Sequence, residues 1–60
     1  MTTDLSEPVR RTIFAALVAG QDAGASVPES RFGVAKQYGI DVDEVRRIER
    51  QGLDRGWPPL

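Results

Sequence analysis

The chain has 60 residues, 40% hydrophobic and 28% charged, with no cysteine, no histidine and a formal net charge of −1. That length makes one small domain, which buries only about 60% of the surface its extended chain would expose. Without cysteine it has neither a disulfide nor a thiolate metal site to staple it, and a pI of about 5.2 argues against a protein that coats nucleic acid through charge alone.

The longest apolar run, Ile13 to Ala19, is seven residues, far short of the roughly 18 a membrane span needs. The opening MTTDLSEP carries no basic n-region, so no secretory signal is expected and a soluble cytoplasmic protein is the default. Charge is unevenly placed. Residues 1–30 hold two basic and four acidic side chains, whereas residues 31–60 hold six basic and five acidic. Any nucleic-acid surface is therefore expected in the second half.

The first helix is expected over about residues 7–23. Ser6 is placed to cap it, and Pro8 falls in the first turn, where its missing N–H is no loss. Val9, Ile13, Ala16, Leu17 and Gly20 follow helical spacing and make a core stripe, which Phe14 and Val18 widen. That extra apolar width has two readings, a central helix covered on two sides or a surface for self-association or a partner. Gly24 is a natural stop.

The second helix is expected over residues 27–38. Ser26 and Glu29 have the spacing of a capping box, and Pro28 again lies in the first turn. Phe32, Ala35 and Tyr38 are its expected buried residues. Gly33 inside it costs about 1 kcal/mol against alanine, and Gly39 ends it with positive φ.

The third helix is expected over residues 42–55, capped by Asp41, with Glu44 completing a second capping box and Ile40 stapled against Val45. Val45, Ile48 and Leu53 face the core. Two ends are open to it: a stop at Gly52 with Leu53 folded back on Ile48, or passage through Gly52 to a stop at Gly56. The longer form is adopted. Pro58 and Pro59 exclude helix beyond Trp57. The expectation is an all-α fold, a three-helix bundle containing a helix-turn-helix, with residues 1–5 and 57–60 as terminal extensions.

The stretch VAKQYGIDVDEVRRIERQGL over residues 34–53 carries the functional signal. A helix-turn-helix needs a small residue where its helices cross, a residue tolerant of left-handed backbone in the turn, and apolar anchors on the second helix pointing back at the first. Ala35, Gly39, Val45 and Ile48 supply these, with Val34, Tyr38 and Ile40 filling the remaining buried positions. What remains outward on the third helix is Val42, Asp43, Arg46, Arg47 and Arg50. An arginine can pair two donors with the acceptor edge of guanine or clamp a phosphate; Lys36 and Arg31 would contact flanking backbone. The acidic Asp43 and Glu44 at the helix start suit the dipole but repel phosphates. The alternative is a solvated face in which Asp43, Glu49 and Asp54 pair with Arg46, Arg47 and Arg50, each exposed pair contributing under about 1 kcal/mol.

The run YGIDVDEVRRIERQGL resembles the promoter-binding C-terminal domain, region four, of bacterial RNA polymerase sigma factors. That family reads as an aromatic residue, glycine and a branched apolar residue, then a polar cap, then a Glu–x–Val–Arg–x–Ile–Glu run. Here those places are Tyr38, Gly39 and Ile40, then Asp41, then Glu44, Val45, Arg46, Arg47, Ile48 and Glu49. The resemblance covers about residues 26–55 and implies a helix that enters the promoter major groove, with Arg46, Arg47 and Arg50 at bases and backbone. Gly52 stands where the family usually has alanine, which implies a weaker final helix. The polymerase-binding and promoter-melting domains do not fit in this length, so the resemblance implies at most a detached or repurposed reading head.

The remaining features are sparser. Trp57, Pro58, Pro59 and Leu60 read either as a lid over an open edge of the core or as an extended peptide for a partner. Asp41, Asp43 and Glu44 lack the loop and inner glycine of an EF-hand, so no metal is expected. Ser6, Ser26 and Ser30 have no evident base and no phosphate-cradling glycine loop is present, so neither an enzyme nor a cofactor is expected. The expected partner is double-stranded DNA, with transcription regulation as the setting and a homodimer as one possible assembly. The rival is a protein-interaction module that uses Phe14, Val18, Trp57 and Leu60.

Overall fold

The computed structural model describes residues 5–59, and within them the fold is an all-α three-helix bundle. Helix α1 spans Glu7–Asp22, α2 Val27–Tyr38 and α3 Val42–Arg55. Every pair of helices is in contact, so the core lies where all three meet.

The ends of the helices follow from local chemistry. At α2 the Ser26 N–H donates to Glu29 Oε1 at 2.9 Å and the Glu29 N–H donates to Ser26 Oγ at 3.2 Å, a complete capping box. Gly39 then closes α2 with φ 66° and ψ 36°, and the Ile40 N–H reaches back to the Ala35 carbonyl at 3.0 Å. That is a Schellman closure, which satisfies carbonyls left open by the helix end. Helix α3 ends the same way. Gly56 is left-handed at φ 63°, and the Trp57 N–H donates to the Gly52 carbonyl at 3.0 Å.

Two caps are weaker than the spacing implied. Ser6 and Asp41 occupy the N-cap positions of α1 and α3 in extended backbone, but neither side chain bonds a helix N–H. At α3 the expected second capping box does not form, and the Glu44 carboxylate pairs with Arg47.

The core comprises Ile13, Phe14, Leu17, Val34, Ala35, Val45, Ile48 and Trp57, with Leu5, Ala16, Val18, Tyr38, Ile40 and Val42 packed partly against it. On α1 the buried stripe is centred between Ile13 and Phe14, which leaves Val9, expected inside, substantially exposed. On α2 the phase also differs. Ser30, Val34 and Ala35 are buried, while Phe32, expected inside, is 68% exposed. Ser30 takes the inward place because its hydroxyl is satisfied: Oγ donates to the Val27 carbonyl at 2.8 Å and accepts from Gln21 Nε2 at 3.1 Å. A buried hydroxyl with both bonds made is cheap, and this one ties α2 to α1.

Leu5 and Trp57, which flank the helices, are part of the fold. Leu5 packs on the core, and its carbonyl accepts from Arg10 Nη1. Trp57 is 2% exposed and meets Phe14 edge to face, ring centroids 6.2 Å apart. The Arg11 guanidinium sits over the indole at 5.5 Å, and Glu7 holds Arg11 at 2.9 Å and approaches Arg55 at 3.8 Å. Thus the start of α1 and the end of α3 are joined around one tryptophan.

Candidate nucleic-acid interface

The turn between α2 and α3 is three residues, Gly39, Ile40 and Asp41. The anchors expected of a helix-turn-helix lie inside: Val34, Ala35, Val45 and Ile48 are all buried, and Tyr38 and Ile40 pack on the same core. Because Val45, Ile48 and Gly52 face inward, helical geometry turns Asp43, Arg46, Arg47 and Arg50 outward, and all four are exposed.

An open depression of about 440 Å³ runs along the junction of α2 and α3, lined by Arg31, Asp43, Arg46, Arg47, Glu49, Arg50 and Leu53. It brings together four guanidiniums, two carboxylates and one leucine. Such a surface is suited to an extended anionic partner and does not enclose a small substrate.

Its electrostatics are partly compensated. Arg47 bonds Glu44 at 2.9 Å, and Arg46 approaches Asp43 at 3.9 Å. Both arginines are well exposed, and such pairs contribute no more than about 1 kcal/mol each. Arg50 makes no ion pair among the described residues. Arg31 reaches across from α2, with Nε and Nη2 at 2.9 and 2.7 Å from Glu49 Oε1. That pair is half-sheltered and fixes α2 against α3.

Several site expectations change. Glu49, which the solvated-face alternative pairs within α3, serves Arg31 instead. Arg31, expected at flanking backbone, lines the same depression as Arg46 and Arg50. Lys36 is exposed in the last turn of α2, where its charge suits the helix dipole. Val42, expected on the outward face, packs partly on the core, since it lies one turn before the buried Val45 side of α3. Phe14, considered a partner contact, is only 1% exposed and belongs to the interior. Val18 is half-buried and packs on that interior. Trp57 is buried as well, so its side chain covers the core instead of offering itself outward, and Leu60 lies outside the described residues. Leu53, expected inside, is 59% exposed and sits in the depression. With α3 continuous through Gly52, Leu53 falls seven residues past Arg46 on the outward side, turned away from Ile48.

Gly52 is the residue whose role the sequence concealed. A Cβ built on it would fall 2.6 Å from Cγ of Phe14 and nearer still to Cδ1 and Cε1. The ring occupies the place a side chain would take. The glycine is thus a packing feature, and α3 runs unbroken through it.

Asp41, Asp43 and Glu44 do not converge; among the described residues no cluster of three potential metal ligands forms. No described helix is long and apolar enough to cross a membrane. Comparison with protein-family models, with curated proteins and with solved structures returns no match.

Proposed function

We propose that this chain binds duplex DNA through the outward face of α3, as a small helix-turn-helix reading head of the kind that sigma region four exemplifies. The observation that carries the reading is the buried set Ala35, Val45 and Ile48 around a left-handed Gly39, which leaves Arg46, Arg47 and Arg50 together on the opposite face of one helix. Arg31 extends that face from α2. In this mechanism the arginines exchange their exposed carboxylate partners for phosphates and guanine edges. Lys36 contacts flanking backbone, and the exposed Asp43 lies at the near end of the reading face. Transcription regulation in a bacterial cytoplasm is the setting this reading implies.

The test is fluorescence anisotropy with random-sequence duplex pools at two salt concentrations, with solution mass measured alongside. Salt-dependent binding is expected, and each phosphate contact removed should lower the log–log salt slope by about 0.9. Retention of full affinity after Arg46, Arg47 and Arg50 are all changed to alanine overturns the reading.

One observation favours a second reading. Arg46 and Arg47 each have a carboxylate beside them, and Leu53 and Phe32 are the two most exposed large apolar residues described. A protein-interaction module would present such a neutralised, apolar-flanked surface. It predicts no duplex binding at any salt concentration.

A further inference from the structure

We infer that α3 lies lengthwise in the major groove and that Leu53 recognises the 5-methyl group of thymine there. This rests on the DNA-binding reading above and specifies the target. Arg46, Arg50 and Leu53 stand at i, i+4 and i+7, one straight stripe about 10 Å long on α3, and all three line the same depression. An exposed leucine alone is unremarkable on a protein surface. Here it continues a row of guanidiniums on the face that would be covered.

Charge sets the direction of docking. Asp43 and Glu44 occupy the first turn of α3, so insertion by that end would bring two carboxylates against phosphates first. Lengthwise docking puts the middle and far part of the helix in the groove, where the cations are. Arg50, without an ion pair among the described residues, is the cation freest to take a guanine O6/N7 edge.

Leu53 has no hydrogen-bonding group, so it can distinguish bases only through apolar contact. In the major groove the thymine methyl is the apolar feature that ordinary bases offer. Leu53 lies three residues beyond Arg50, about 4.5 Å along the helix, against 3.4 Å per base step. The thymine is therefore expected within one or two steps of the guanine that Arg50 contacts.

The experiment enriches binding duplexes from a random-sequence pool, then measures them with thymine and with uracil at the same positions. Uracil lacks only the methyl. Wild-type protein should bind the uracil duplex about fourfold more weakly per contacted methyl, the value of one buried carbon. Leu53→Ala should bind both alike, while Leu53→Met keeps the discrimination. Both variants change an exposed helical position, and circular dichroism checks that the fold is kept. Equal binding of thymine and uracil duplexes by wild-type protein, with salt-dependent affinity intact, overturns the inference and leaves DNA binding standing. Equal discrimination by wild type and Leu53→Ala removes the assignment to Leu53. Absence of binding to any duplex overturns both.

Discussion

The ring of Phe14 fills the space that a side chain on Gly52 would occupy. This contact lets α1 and α3 approach closely, and Trp57 closes over it by meeting Phe14 edge to face. Alanine at position 52 would gain about 1 kcal/mol of helix propensity. It would also drive a methyl into a ring that is 1% exposed and has α1, α3 and an indole around it. Overpacking of that kind costs about 1–3 kcal/mol, occasionally more, so the steric term wins. Gly52→Ala should be destabilised in urea titrations despite its better helix former. Adding Phe14→Leu should recover part of the loss, a coupling that a double-mutant cycle reads directly. Stability equal to or above wild type for Gly52→Ala would remove the close approach from the account.

Gly33 is the opposite case. It lies in the interior of α2, exposed, with nothing within 4 Å of a built Cβ and no positive φ. Alanine there should stabilise the domain by about 0.5–1 kcal/mol, seen as a higher midpoint in urea with an unchanged slope. The two glycines look alike in the sequence, and opposite signs for the two substitutions test whether packing distinguishes them.

Trp57 should be needed for the fold. Truncating a buried Trp to alanine costs about 3–5 kcal/mol, a large part of the roughly 3–9 kcal/mol expected for a domain of this length. Trp57→Ala should therefore be largely unfolded by circular dichroism at room temperature. Trp57→Phe should be much milder. The indole N–H is buried without an acceptor among the described residues, so phenylalanine sacrifices none of their hydrogen bonds, only area and part of the Arg11 contact. Equal damage from both substitutions would mean the indole nitrogen has a partner after all.

Acid should loosen α2 through one carboxyl. The Ser26 backbone N–H, followed by the Ser26 side chain, holds the Glu29 carboxyl below its ordinary value of 4.5. A group lowered in the folded state stabilises above its unfolded pKa, and that contribution fades as pH falls through the folded value. Stability of wild-type protein should therefore decline below about pH 4.5, as carboxylates protonate. Glu29→Gln keeps a side chain able to close the box but has no proton to gain, so its decline should be shallower. Superimposable pH profiles for the two proteins would dismiss the capping carboxylate as a contributor.

What the sequence revealed was local. The Ser26–Glu29 box, the turn at Gly39 and the stop at Gly56 each depend on residues within one helical turn, and each forms as spaced. What it concealed was tertiary. The phase of α2 turned on Ser30 finding Gln21 nine residues earlier, which sent Phe32 outward. Glu49 chose Arg31, eighteen residues away, over its neighbours on α3. Gly52 read as a flaw in a helix because nothing near it in sequence names Phe14. The cationic face was legible in part. Arg46, Arg47 and Arg50 follow from the period of α3 once Val45 and Ile48 are inside, and so does Leu53 once the helix runs through Gly52, whereas the membership of Arg31 required the crossing of two helices.

The Arg31–Glu49 pair links stability to the proposed binding and lets the two be separated. Glu49 is the more sheltered partner and Arg31 is partly exposed, so the pair should contribute no more than about 1 kcal/mol. Glu49→Gln keeps the shape and can still accept from Arg31, so the fold should survive with a small loss. On the candidate face the same change removes one negative charge from a depression shared with Arg46, Arg47 and Arg50 and replaces the ion pair of Arg31 by a neutral hydrogen bond, with which phosphate can compete. If that face meets DNA, Glu49→Gln should bind duplex more tightly, and its salt slope should steepen by up to about 0.9, the signature of one additional phosphate contact. Stability and affinity would then move in opposite directions from one substitution. A Glu49→Gln protein that loses affinity in step with its stability would place the binding surface, if any, elsewhere on the bundle.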